Sequence, residues 1–70
     1  MYVVQCRVAG SMVSQDRCAT LADARSTLER QRRALLSRGA TILMEDPRRY
    51  IIARAQEGWV CVVIVTARFP

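Results

Sequence analysis

The sequence predicts an α+β domain of two layers. One helix packs on one face of an antiparallel sheet of four to five strands, in the order β-(β)-α-β-β-β. Three observations lead there. Trp59-Val60-Cys61-Val62-Val63-Ile64-Val65 is an unbroken β-branched and aromatic run, apolar on both faces, which reads as a strand. One segment, from Thr20 to about Arg38, has helical periodicity with start and stop signals. Elsewhere, short apolar stretches are punctuated by turn signals carrying Gly, Pro and Asp, as in a β-meander.

The 70 residues suit a single small domain, 1–70, whose core is marginal without help from a partner. Half of the chain is hydrophobic (51%), which argues against disorder. No apolar run approaches the ~20 residues of a membrane span. Met1-Tyr2-Val3-Val4-Gln5 lacks the basic and long apolar regions of a signal peptide, so a cytoplasmic setting is expected.

The elements follow in order. In Tyr2-Val3-Val4-Gln5-Cys6-Arg7-Val8, residues Tyr2, Val4, Cys6 and Val8 share one face and Val3, Gln5 and Arg7 the other, as in a half-buried strand. Ala9-Gly10-Ser11 is a turn signal, after which residues 12–17 form a candidate second strand. Thr20 stands as a hydroxyl N-cap with Asp23 in the first turn, and Gly39 is the stop. Leu21, Ala24, Leu28 and Leu35, with Leu36 at the margin, make the apolar stripe, leaving Ser26, Arg30, Arg33 and Ser37 outward. Three strands then follow: residues 41–45, 50–55 and 59–68, separated by Asp46-Pro47-Arg48-Arg49 and Gln56-Glu57-Gly58.

Turn lengths propose a register. With Glu57-Gly58 as a two-residue loop, Ala55 pairs with Val60, Ala53 with Val62 and Ile51 with Ile64. With Pro47-Arg48 as the earlier loop, Met44 faces Ile51 and Ile42 faces Ala53. One face then reads Ile42, Met44, Ile51, Ala53, Ala55, Val60, Val62 and Ile64, and is the core against the helix. The other reads Thr41, Leu43, Glu45, Tyr50, Ile52, Arg54, Gln56, Trp59, Cys61, Val63 and Val65, joined by Gln5 and Arg7. The single helix is already used, so Leu43, Tyr50, Ile52, Trp59 and Val63 are expected to be exposed together, as at an interface.

Charge narrows the partner. All eleven basic residues are arginine, against six acids, for a net charge of +5. Arginine makes bidentate contacts to phosphate and carboxylate and stacks on flat rings. Three classes of binding fit. In a homodimer, two open faces pack together. In a nucleic-acid binder, Tyr50 and Trp59 stack bases while Arg7, Arg48, Arg49, Arg54 and Arg68 hold phosphates. A variant of that reading lays Arg30, Arg32, Arg33 and Arg38 of the helix along a duplex. In a protein-binding module, the open face around Arg7, Leu43, Tyr50, Ile52, Arg54, Trp59 and Val63 takes a protein or nucleoprotein complex. There Arg30, Arg33, Arg38, Arg48 and Arg49 form a second, basic surface.

The order of elements, with Thr20-Leu21-Ala22-Asp23-Ala24 opening the helix, Gly39-Ala40-Thr41-Ile42 leaving it and the Trp59 strand closing the chain, resembles small phage-encoded anti-CRISPR proteins. These are single helices packed on antiparallel sheets. The resemblance is architectural. It implies an inhibitor, encoded by a phage or another mobile element, that binds a surveillance complex. Many such inhibitors are acidic mimics of DNA. A basic chain is expected instead to compete through arginine contacts.

Catalysis is not expected. There is no histidine, phosphate loop or nucleophile elbow. Glu45 and Asp46 are adjacent and point to opposite sides of a strand. Arg54 lies across from Cys61 in the proposed register, which lowers a thiol pKa but supplies no base. Cys6, Cys18 and Cys61 have no Cys-x-x-Cys spacing and read as small buried hydrophobes. Neither a metal nor another cofactor is expected.

Overall fold

The computed structural model describes residues 1–67. Its elements are β1 (Tyr2–Val8), β2 (Ser11–Cys18), α1 (Leu21–Ser37), β3 (Thr41–Asp46), β4 (Tyr50–Ala55) and β5 (Gly58–Thr66). The five strands form one antiparallel sheet in the order β2-β1-β5-β4-β3, with α1 touching all five on one side. The last strand therefore lies in the middle, paired along both edges, with the helix over one of its faces. The expected extension of this strand to Arg68 falls outside the described residues.

Residues 12–17 do pair with β1, inside the longer strand β2. The two-residue link is Ala9-Gly10, with φ of 51° and 85°, the left-handed pair that matches the twist of a tight hairpin. Ala9 is a non-glycine residue in that region, a conformation that costs about 1–2 kcal/mol. Its N–H donates to the Trp59 carbonyl at 2.8 Å, which ties the turn to β5.

The Thr20 hydroxyl accepts from the Asp23 amide at 3.1 Å, a cap worth about 1 kcal/mol. At the other end, the Gly39 amide donates to the Leu36 carbonyl and the Ala40 amide to that of Leu35, both at 3.0 Å. This is the Schellman pattern, and it requires the positive φ of Gly39 (80°). Ala40 and Leu35 are both buried, as the motif's hydrophobic contact demands.

The core lies between helix and sheet. Ala24, Leu28 and Leu35 meet Val4, Cys6, Ile51, Ala53, Val60 and Val62. Leu21 is half-buried and Leu36 is exposed. Thr27 is buried within the stripe, where its hydroxyl donates to the Asp23 carbonyl at 3.0 Å and accepts from Arg30 Nη2 at 3.1 Å.

Two expectations of register are corrected. Between β4 and β5 the loop is Gln56-Glu57, so Ala53 pairs with Val60, Ile51 with Val62 and Ala55 with Gly58. The slip is two residues, so every side chain keeps its face while its partner changes. Gly58 sits at φ 127°, which an L side chain rarely adopts, so the loop closes just before it. Arg54 consequently faces Trp59, and Cys61 faces Ile52.

Between β3 and β4 the pairing runs Ile42 with Ala53, then Met44 with Ile52 and Glu45 with Ile51. Leu43 is the additional residue of a bulge, and the loop holds Pro47, Arg48 and Arg49. Past the bulge the faces exchange. Met44 leaves the core side and is 56% exposed, whereas Glu45 comes to the helix side. There Arg32 Nε donates to Glu45 Oε2 at 2.8 Å and Nη2 to Oε1 at 3.3 Å. Those bonds push the Arg32 guanidinium's pKa further up. A carboxylate expected on the open face is thus the anchor of the helix.

Val3 lies on the face away from the helix yet is only 3% exposed, flanked in register by Arg17 and Val65, both of which are exposed.

Candidate functional site

Reading the register across the strands gives the open face as rows. One row is Met12, Arg7, Cys61, Ile52 and Met44. The next is Gln15, Gln5, Val63, Tyr50 and Asp46. At the opposite margin, Trp59, Arg54 and Thr41 run side by side. The strands thus bring together Arg7, Tyr50, Ile52, Arg54, Trp59 and Val63, with Leu43 at the bulge.

Their exposure is graded. Trp59 (55%), Leu43 (48%) and Met44 stand out from the surface, and Arg7 and Arg54 are also exposed. Tyr50, Ile52, Cys61 and Val63 are half-buried between them. The middle of the face is therefore an apolar floor, and the large exposed side chains rise toward its edges. Sequence reasoning missed Met44 here. Alternation alone cannot reveal a bulge, although four consecutive non-turn residues of mixed polarity around Leu43 are compatible with one.

Arg54 Cζ lies 5.0 Å from the centroid of the Trp59 ring. Cross-strand pairing puts the two side chains on adjacent strands, and the ring's negative face attracts the guanidinium by about 0.5–1 kcal/mol at an exposed site. The contact holds both large side chains in place. Arg54 has no carboxylate partner among the described residues, so its charge remains available.

The basic surface divides in two. On the helix, Arg33 pairs with Glu29 at 3.4 Å, and Arg38 reaches Glu57 of the β4–β5 turn at 3.1 Å. Arg30 is bonded to Thr27, and Arg32 turns inward to Glu45. A phosphate lying along the helix would compete with those carboxylates. Arg48 and Arg49, in the β3–β4 turn, carry no carboxylate partner among the described residues. Arg68 lies outside them.

Cys61 opens onto the floor of the face beside Ile52, and Arg54 lies over Trp59. Cys6 and Cys18 are buried, and burial pushes the Cys6 thiol above its ordinary pKa. Among the described residues, no three Cys, Asp or Glu side chains are grouped to hold a metal ion, and no helix is long and apolar enough to cross a membrane. In comparison with known proteins, no family model, curated protein or solved structure matches the chain.

Proposed function

We propose that this chain is a non-enzymatic binding module whose open sheet face takes a protein or nucleoprotein partner. The observation that carries the reading is the cluster on that face: Trp59 with Arg54 over its ring, together with exposed Leu43 and Met44 around the floor of Ile52 and Val63. The helix covers only the other side of the sheet. Aromatic and arginine side chains beside an apolar floor are the composition of binding hot spots. A net charge of +5 favours a partner bearing carboxylates or phosphates. The likeness in element order to phage-encoded anti-CRISPR proteins extends this to an inhibitor of a nucleic-acid-handling complex, carried by a phage or another mobile element and acting in the cytoplasm.

The test compares capture of partners by the wild type and by a Trp59→Ala/Ile52→Arg variant. The variant is expected to keep its circular dichroism and lose the partner. A partner retained by a folded variant contradicts the reading. A self-association lost in the same variant identifies the face as a homodimer contact.

A second reading is favoured by the Trp59–Arg54 stack and by Arg7, Arg48 and Arg49, which have no carboxylate partner among the described residues: direct binding of nucleic acid. Anisotropy of random-sequence DNA and RNA, titrated at several salt concentrations, distinguishes it. Direct phosphate contact gives affinity that falls log-linearly with salt.

A further inference from the structure

The pairing lengths of the strands leave a notch at one end of the molecule. β4 begins at Tyr50, opposite Val63, whereas β5 runs on to Thr66 alongside β1. Beyond the end of β4 lies a cleft of about 670 Å³. The start of the helix (Leu21, Arg25), the β3–β4 turn (Arg48, Arg49), Tyr2 and Tyr50 line it. Three arginines thus line one cavity, and among the described residues no Asp or Glu lines it.

Charge is segregated to produce this. Among the described residues the ion pairs engage Arg32, Arg33 and Arg38, and none engages Arg25, Arg48 or Arg49. The nearby acid, Asp46, spends its Oδ1 on the Arg48 amide at 2.9 Å. The turn is fixed at two further points: the Arg49 amide donates to the Asp46 carbonyl at 2.9 Å, and the Arg49 carbonyl accepts from Ile64 at 2.8 Å. The backbone that carries both arginines is therefore held before any ligand arrives, which reduces the ordering cost of binding.

We infer that this cleft binds the phosphates of a nucleotide. Three arginines converging from two elements match a di- or triphosphate, or successive phosphates of a strand, through charge-assisted hydrogen bonds. Tyr50, on the open side of the sheet, supplies aromatic surface at the rim of the cleft, whereas Tyr2 packs against the core on the helix side. The volume falls in the range of small-ligand sites, and one nucleotide fits within it. The cleft shares Tyr50 and Val63 with the open sheet face, while its arginines stand on the β3–β4 turn and the helix.

The test is titration of the ¹⁵N-labelled chain at low salt with ADP, inorganic phosphate, and a short oligonucleotide with and without a 5′-phosphate. Saturable amide shifts are expected at Leu21, Arg25, Arg49 and Tyr50, with ADP binding more tightly than inorganic phosphate. Tighter binding of the phosphorylated oligonucleotide than of ADP assigns the source to a strand end, and the reverse order assigns it to a free nucleotide. Arg48→Glu/Arg49→Glu, and separately the exposed helix change Arg25→Glu, are expected to weaken binding roughly tenfold or more while leaving the remaining amide spectrum in place. The inference is overturned if neither ADP nor the oligonucleotides saturate. It is equally overturned if the shifts follow Arg30 and Arg33, or if folded variants bind as the wild type does.

Discussion

Trp59 and Arg54 show how far a single register step can reach. They are partners across adjacent strands, so the guanidinium lies over the ring and both side chains face the same open surface. Cys61, one alternation further along β5, meets Ile52 in place of Arg54 and lies half-buried in the floor. The three thiols are consequently unequal. Cys61 is expected to be alkylated first by iodoacetamide at neutral pH, with Cys6 and Cys18 modified only as the chain unfolds. Peptide mass spectrometry over time reads the order, and early modification of Cys6 would contradict the packing. Burial raises the Cys6 pKa, so the fold favours the neutral thiol. That contribution to stability is fully present below the ordinary thiol range and is lost as pH rises through the elevated folded value. Denaturation midpoints taken from neutral to alkaline pH are expected to fall, and the fall should be smaller in Cys6→Ala.

At the scale of elements, the bulge at Leu43 decides which side chains of β3 serve the core. Met44→Ala should change stability by no more than about 0.5 kcal/mol, as at other exposed positions. Ile51→Ala, at a fully buried position, should cost about 2–5 kcal/mol. Urea midpoints of the two variants give the comparison, and a large loss at Met44 would mean that β3 runs without a bulge.

The same strand marks the limit of what was legible in the sequence. The helix was readable at both ends, because Thr20 and Gly39 act through local chemistry that spacing alone reveals. The faces of β1, β4 and β5 were readable because alternation survives a two-residue slip. The partners were not readable, because Gly58 already pairs with Ala55, so the β4–β5 turn ends one position earlier than a two-residue loop containing Gly58 would. Nor was the exchange of Met44 and Glu45, since the cause lies in the pairing with β4 and in the reach of Arg32 from the helix. Thr27 was likewise hidden: a polar residue enters the buried stripe only because its hydroxyl finds the Asp23 carbonyl one turn back.

On the scale of the whole molecule, one helix and five strands make two layers, and the second face of the sheet has no covering element among the described residues. Carboxylates hold the helix to itself and to the sheet through Glu29, Glu45 and Glu57. Arg7, Arg54, Arg48 and Arg49, on the open face and the adjoining turn, have no carboxylate partner among the described residues. Structure is thereby concentrated on one side of the sheet and available charge on and around the other. Trp59 is the only tryptophan in the chain, so its fluorescence reports on that face alone. The decisive measurement is Trp59 emission and acrylamide quenching in the isolated chain and then with the captured partner at saturation. The account predicts solvent-exposed emission that is readily quenched in the free chain. On binding, it predicts a blue shift with loss of quenching. Binding that leaves both unchanged would place the partner elsewhere and contradict the assignment of the open sheet face.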